Sequence, residues 1–233
     1  MFLGKGKRRR KAKLKEKRMM RIREGKKVPF SISNCPKVLK GTQYKYEYKV
    51  NVHHCSFSNA RFNDVRYRSG HITYSSFQNA LFEKIDFICV NMKKNKFKGT
   101  KFKNCLFFGC NLQDSNFKGA SFDNVYFISC DLNNIKNFTV NDNVQIIKKY
   151  PEITICKKLN GLLSVMSQNT KLEKYHILTI NRKKNNHWML DLLLQRYSEE
   201  ELVYFFKKIL IMNKNHFYTI HDYIFSLSNY YKK

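Results

Sequence analysis

Two adjacent histidines followed by a cysteine, His53-His54-Cys55, are the residues whose types could bind a metal or supply a nucleophile. A zinc site needs further ligands at fixed spacings, and no second His/Cys pair stands at such a spacing. His216 and His221 are five residues apart, so they would not share a helix face. The sequence also lacks a phosphate-binding glycine loop, a nucleophile elbow and an HExxH motif. We therefore expect no metal, no cofactor, no catalytic residue and a protein that is not an enzyme.

The strongest chemical signal in the sequence is positive charge. The 233 residues include 45 Lys and Arg against 17 Asp and Glu, a formal net charge of +28. Such a surface favours polyanions, above all nucleic acid or ribonucleoprotein. Residues 1–27 alone contribute +12, and a block of like charges predicts an arm that is disordered until neutralised. The candidate phosphate contacts of this arm are Lys5, Lys7, Arg8, Arg9, Arg10, Lys11, Lys13, Lys15, Lys17, Arg18, Arg21, Arg23, Lys26 and Lys27.

Between Val50 and Asn134 the chain repeats every five residues. It divides into 17 consecutive pentads whose central residue is always apolar or aromatic, and a mostly small residue stands two positions before each centre. A period of five fits neither a helix, with 3.6 residues per turn, nor a strand, with a repeat of two. One large and one small inward residue per pentad suits a chain that turns a corner every five residues and stacks coil upon coil.

Pentads such as CNLQD (110–114), SNFKG (115–119) and CDLNN (130–134) resemble the pentapeptide-repeat family. The resemblance covers residues 50–134 and implies a right-handed, four-sided β-helix with four pentads per coil. Seventeen pentads would give about four coils and a rod roughly 20 Å long. The alternating stretch TQYKYEYKVNV (42–52) predicts a strand that caps the rod. A core of this kind is expected to contain no pocket for a small substrate.

If residues 20 apart stack, as the resemblance implies, outward side chains form columns on the rod. One group of outward positions is apolar and predicts a docking face, occupied by the C-terminal helices, by a protein partner or by a second copy. Its members are Ile88, Leu106, Phe108, Tyr126 and Ile128. Another group is a collar of lysines, which is either a polyanion site or an ordinary solvated surface. Its members are Lys93, Lys94, Lys96, Lys98, Lys101, Lys103 and Lys118.

Residues 135–233 lose the pentad phase and predict helices. Ser198 to Glu201 has the form of a capping box, and 159–168, 187–197 and 216–231 have helical apolar spacing. The predicted organisation is thus a basic arm and linker (1–41), a β-helix with its capping strand (42–134), and an α-helical domain or cap (135–233).

Cysteine usage and hydropathy bound the expected location. The seven cysteines follow no CxxC pattern, so we expect reduced thiols. No apolar stretch of secretory or membrane-spanning length occurs. We expect an intracellular, reducing compartment, either cytoplasmic or, in a eukaryote, nuclear or organellar, without membrane insertion.

Three functions fit these observations. The first is a non-enzymatic nucleic-acid or ribonucleoprotein-associated protein, RNA favoured over DNA, whose arm contacts phosphates while the rod docks as a rigid module. The second is a protein interaction scaffold or effector that uses the apolar face. The third is implied by the family resemblance: a topoisomerase-binding resistance protein that imitates DNA. This ranks lower, because residues 50–134 have a net charge of +5 and a DNA mimic must be negative.

Overall fold

A single parallel sheet, wound as a β-helix, forms the centre of the molecule. The computed structural model describes residues 5–24, 28–181, 183–212 and 217–231. Seven strands of this part pair in the order of the sequence. They are β1 (Ser31–Ser33), β2 (Gln43–His53), β3 (Arg61–Thr73), β4 (Leu81–Asn91), β5 (Lys101–Phe108), β6 (Ser121–Ile128) and β7 (Val144–Ile147).

The register confirms that one coil contains 20 residues. Phe62 pairs with Phe82 and Phe82 with Phe102, each 20 residues further along the chain. Isolated parallel bridges link Ser76 to Lys96 and Asn91 to Asn111 on two further sides of the coil, again at a spacing of 20. The pentad therefore forms one side of the coil, as the sequence predicts.

The β-helix has about six turns, so the predicted number of about four is too low. Strand β1 pairs with β2, and β7 pairs with β6, although neither end strand has the pentad signature. An end coil exposes unpaired backbone N–H and C=O groups, which any adjacent extended segment can satisfy. Strand β2 is consequently an internal strand of the ladder and does not cap it.

The core of the β-helix consists of stacked aromatic rings. The rings of Phe62 and Phe82 lie 4.5 Å apart at an interplanar angle of 12°, and those of Phe107 and Phe127 lie 4.7 Å apart at 5°. Small residues fill the positions between the rings, and the buried amide of Asn95 donates hydrogen bonds to two backbone carbonyls. This repeated packing holds the outward columns in register.

Gly70 occupies one of the small inward positions with φ +118°, a backbone conformation that L side chains rarely adopt. A Cβ atom there would lie 2.3 Å from the carbonyl oxygen and 2.7 Å from the nitrogen of Val50 in the preceding coil. We expect Gly70→Ala to lower the free energy of unfolding by about 1–3 kcal/mol, measured by urea unfolding.

Gly161 provides the matched control, because it lies inside a helix with nothing within 4 Å of an added Cβ. Gly161→Ala should stabilise the protein by about 0.5–1 kcal/mol. Equal unfolding midpoints for the Gly70→Ala variant and the wild type would contradict the close coil contact.

Helices precede and follow the β-helix. The helices are α1 (Lys5–Arg23), α2 (Lys157–Gln168), α3 (Thr170–Glu173), α4 (His187–Leu194), α5 (Glu199–Met212) and α6 (Ile220–Tyr231), with a short hairpin of β8 (Thr179–Asn181) and β9 (Lys184–Asn185) before α4. The capping box at α5 is confirmed: Ser198 N–H donates to Glu201 Oε2 (2.8 Å), and Glu201 N–H donates to Ser198 Oγ (3.2 Å).

Helix α1 corrects the expectation of a disordered arm. Its sequence, KGKRRRKAKLKEKRMMRIR, consists largely of Lys, Arg, Ala, Leu, Glu and Met, which are strong helix formers, and no proline interrupts it. Arg21 and Arg23 in the last turn interact favourably with the negative end of the helix dipole. Helix propensity and the absence of a breaker outweigh the repulsion between like charges here.

The C-terminal helices pack on the apolar face predicted from the sequence. Leu106, Tyr126 and Ile128 are completely buried in a second apolar core shared with the helical region. Ile88 is 7% exposed, and the ring of Phe108 makes an edge contact with Trp188 at 6.0 Å. Of the three occupants considered, the protein's own helices cover this face, so it is not open to a partner or to a second copy.

Candidate nucleic-acid interface

One side of the β-helix concentrates the positive charge of the collar. Outward positions on this side stack through isolated parallel bridges that join Lys96 to Asn116 and Asn116 to Lys136. Five exposed lysines line a shallow cleft here, which we call the lysine cleft: Lys94, Lys96, Lys98, Lys118 and Lys136. The β-helix thus places on one side cations that lie up to 42 residues apart in the sequence.

The lysines of the cleft are not neutralised by the protein. Among the described residues, none of the five ammonium groups has a carboxylate oxygen within 4.0 Å. Asp114 is the one acidic residue in the described lining of the cleft. Clustered cations on a fixed scaffold repel one another and create a positive potential that an anion relieves.

Asn116 lies in the lining of the cleft and is fixed by hydrogen bonds. Its Oδ1 accepts hydrogen bonds from the Lys118 N–H (3.0 Å) and from Asn137 Nδ2 (2.9 Å). At the adjacent corner the rings of His54 and Tyr74 stack at 4.9 Å, and Lys94 Nζ lies 5.4 Å from the centre of the Tyr74 ring. Hydrogen bonds thus hold Asn116 in place between lysine side chains that remain exposed.

The remaining collar lysines lie in a mixed environment. Lys103 pairs in register with Glu83 on one side and Asp123 on the other, so carboxylates flank it in its column. Lys101 lies between Leu81 and Ser121, and Lys93 is half-buried. The collar is consequently not a uniform ring of charge, and most of its exposed lysines lie in the lysine cleft.

Lys136 was missed by the sequence analysis, because it follows the point at which the pentad phase is lost. The signal that could have identified it is its spacing of 20 residues from Asn116, which is the length of one coil.

The arm adds a second positive element at the N-terminal end of the chain. Seven of its candidate contacts have described side chains: Arg18, which is half-buried, and six exposed residues, Arg9, Lys13, Lys15, Lys17, Arg21 and Arg23. Lys26 and Lys27 lie outside the described residues, as do the side chains of Lys5, Lys7, Arg8, Arg10 and Lys11. Arg18 Nη1 donates a hydrogen bond to the Pro29 carbonyl (2.8 Å), which links α1 to the segment entering β1.

The histidine and cysteine residues singled out in the sequence do not form a metal site in the described part of the chain. Cys55 is buried, and its thiol donates to the His53 carbonyl at 3.2 Å. In the part of the chain that the structure describes, no three His, Cys, Asp or Glu residues are grouped to hold a metal ion. All seven cysteines are described and have free thiols. No helix within the described ranges is both long and apolar enough to cross a membrane.

The fold and the repeat define the class of this protein as a pentapeptide-repeat β-helix. Residues 105–136 match the family model "Pentapeptide repeats", with eight copies. The match confirms the predicted resemblance of this part of the chain to pentapeptide repeats. No curated protein sequence matches the chain significantly.

Solved structures of similar proteins include other pentapeptide-repeat proteins. Two are structures of trypsin-treated QnrB1, a plasmid-mediated fluoroquinolone resistance protein, with 15% and 8% identity, each at a TM-score of 0.22. The matches cover 46% and 51% of this chain, and 54% and 92% of those chains. The third is Rfr23 from the cyanobacterium Cyanothece 51142, with 12% identity, coverage of 46% and 88%, and a TM-score of 0.20. The present chain thus spans about half the length of the first of these structures.

Proposed function

We propose that this protein is a non-enzymatic polyanion-binding protein that associates with nucleic acid or ribonucleoprotein, RNA favoured over DNA. The observation that supports it most is the lysine cleft, because its five exposed ammonium groups have no carboxylate partner among the described residues. Phosphate groups would take the place of those missing partners. Such contacts would bind and orient a nucleic-acid strand without reading its sequence.

The arm would supply the second set of contacts. Helix α1 contains 12 Lys and Arg and one Glu in 19 residues, so it is cationic on every face. A cationic segment of this kind attracts phosphates over a distance limited by the Debye length, and salt weakens the attraction. RNA is favoured because basic segments of this type typically enter folded RNA. The rigid β-helix would then hold the strand on the lysine cleft.

The two alternatives of the sequence analysis have less support. A scaffold that docks a partner on the apolar face would have to displace the C-terminal helices from Leu106, Tyr126 and Ile128, which are completely buried. A DNA mimic would require negative columns, whereas the lysine cleft exposes five cations. Polyanion binding requires neither change.

Neutralising the lysine cleft tests the proposal. We expect the triple substitution Lys96→Gln, Lys98→Gln and Lys118→Gln to weaken binding of a single-stranded RNA oligonucleotide. Loss of three phosphate contacts should also reduce the slope of log K against log salt by about 2. Fluorescence anisotropy of labelled RNA over a salt series measures both quantities.

A matched control removes the same net charge from dispersed exposed positions: Lys37→Gln, Lys148→Gln and Lys157→Gln. This control should retain most of the affinity and most of the salt slope. Equal losses in the two triple variants would show that only the overall field matters, and would contradict the assignment of the lysine cleft.

A further inference from the structure

The N-terminal end of the β-helix core contains a cavity, contrary to the expectation of a core without pockets. Its volume is about 230 Å³. The cause lies in the sequence of the first coil. Strand β2 places Glu47 in register with Tyr67 of the next coil. Gln43 pairs with Asn63, so the residues before them, Thr42 and Phe62, occupy the same position in successive coils. Two inward positions that are aromatic in the next coil are therefore occupied by Thr42 and Glu47 here, and the space of two rings stays unfilled.

The inner wall of the cavity is aromatic and aliphatic. Phe57, Phe62, Tyr67 and Ile72 line it. Phe62 stacks on Phe82 of the following coil at 4.5 Å, so the opposite face of its ring is directed towards the preceding coil and the cavity. Tyr67 stacks in the same way on the next ring of its column, at 5.3 Å. Each of these two columns of stacked rings therefore ends at the cavity, with one face of its last ring uncovered.

The rim of the cavity is charged. Lys40, Lys45 and Glu47 lie around it, two cations and one anion, and Lys45 Nζ is 3.6 Å from Glu47 Oε1. Phe30, which is 48% exposed, completes the rim. Burial and the neighbouring Glu47 raise the pKa of Tyr67, so its hydroxyl stays protonated and can donate a hydrogen bond. An apolar wall with a few convergent polar groups is the usual form of a small-molecule site.

We propose that this cavity binds a small planar aromatic carboxylate. The aromatic part would continue the ring columns on Phe62 and Tyr67 at the stacking distance that the core already uses. The carboxylate would lie at the rim beside Lys40, because Glu47 is paired with Lys45 and does not balance the charge of Lys40. An apolar cavity of about 150 Å³ accommodates benzene, so the observed volume has room for a larger ring system with an acidic substituent. This inference is independent of the polyanion proposal, because the cavity and the lysine cleft share no residue.

Calorimetry on the full chain with naphthalene-2-carboxylate as the probe tests the site. The wild type should bind the probe, and it should bind the neutral naphthalene-2-carboxamide several-fold more weakly. Thr42→Phe places a ring in the cavity, so it should weaken binding at least tenfold and raise the melting temperature. Thr42→Leu fills less of the space and should give a smaller loss, which provides a second variant if the larger side chain prevents folding. Lys40→Met should remove the preference for the carboxylate, because Lys40 is the rim lysine that Glu47 does not balance.

Lys96→Met, in the lysine cleft, is the control and should leave binding of the naphthalene probe unchanged. Three results would overturn the assignment: no heat of binding with the wild type at millimolar probe, unchanged affinity in both folded Thr42 variants, or displacement of the probe by RNA. The last would place the probe on the lysine cleft. Loss of RNA binding alone would leave the cavity assignment intact.

Discussion

Replacing Asp86 with alanine is expected to lower the free energy of unfolding by about 3–5 kcal/mol, because it leaves a buried guanidinium without its counter-charge. Asp86 is completely buried, and its Oδ2 accepts hydrogen bonds from Arg66 and from the Ile220 N–H (3.0 Å). Arg66 is 1% exposed and also donates to the His176 carbonyl (2.8 Å). The pair thus joins two coils of the β-helix to two points of the C-terminal region. Loss of Asp86 should therefore weaken the contact between the β-helix and the C-terminal region.

A double variant separates the loss of the pair from the loss of one partner. In the columns of the rod, Arg66 and Asp86 are followed by Leu106 and Tyr126, so apolar side chains would extend an existing apolar stack. We expect Arg66→Met with Asp86→Leu to be less destabilised than Asp86→Ala alone, since replacing both charges avoids an unpaired one.

Urea unfolding at pH 7.5, followed by the fluorescence of Trp188, measures both variants. Trp188 is the single tryptophan of the chain and contacts Phe108 of the rod, so it reports directly on docking of the helices. A double variant as unstable as Asp86→Ala, or a single variant as stable as the wild type, would contradict the structural role of the pair.

Replacing His221 with leucine is expected to stabilise the protein, and increasingly so as the pH falls. The ring is 3% exposed, and neither of its nitrogens has a hydrogen-bond partner among the described residues. Burial, with the positive charges of Arg196 and Lys84, lowers the pKa of His221 to about 3. Leucine removes two unsatisfied buried atoms, which is worth about 1–3 kcal/mol near pH 7.

The pH dependence follows from the direction of this shift. The unfolded chain binds a proton at His221 below about pH 6.5, whereas the folded chain binds it only near pH 3. The free energy of unfolding of the wild type therefore decreases as the pH falls from 6.5, by up to about 1.4 kcal/mol per pH unit from this residue.

Buried carboxyl groups oppose that trend. Burial raises the pKa of Asp86 to about 6, and it raises the pKa of Asp222 as well, with Asp64 nearby as its partner. A carboxyl group with a raised pKa loses stabilisation as the pH rises from its unfolded value of 3.8 to its folded value. The His221→Leu variant retains this carboxyl contribution and loses that of the imidazole.

Urea unfolding at about pH 4.5, 6 and 7.5 is the measurement for His221. The difference in stability between His221→Leu and the wild type should change little between pH 7.5 and 6.5, and below about pH 6 it should grow by about 1 kcal/mol or more for each unit of acidification. Parallel pH profiles for the two proteins would show that His221 is not buried in its neutral form.

The sequence predicted the middle of this fold well because the information there is local and repeated. Each pentad specifies its own inward pair, and the spacing of 20 follows from four sides per coil. The ends were mispredicted because strands β1 and β7 lack the pentad signature. Each adds one apolar residue to the β-helix core, Ile32 or Val144, and is held mainly by pairing with a neighbouring coil. Thr42 and Glu47 interrupt the inward pattern in the first coil, and only the register shows that they leave a cavity.

The surfaces of the β-helix were likewise predicted from the sequence only in part. The apolar docking face was predicted, since Leu106 and Ile128 are conspicuous at outward positions. Arg66 and Asp86 were not identified, because a charged residue at an outward position is expected to face water. The lysine cleft was predicted in part: the columns gave Lys96 and Lys118, while Lys136 required the coil that follows the pentads.

The affinity of the full chain for single-stranded RNA over a salt series is the most direct test of polyanion binding. With six or more phosphate contacts from the arm and the lysine cleft, affinity should fall by about 300-fold or more between 50 and 200 mM salt. Deletion of residues 1–27 should weaken binding and remove the arm's share of this dependence, leaving the share of the lysine cleft. A flat salt profile, or an arm-deleted chain that binds RNA as tightly and with the same slope as the full chain, would contradict the proposed function.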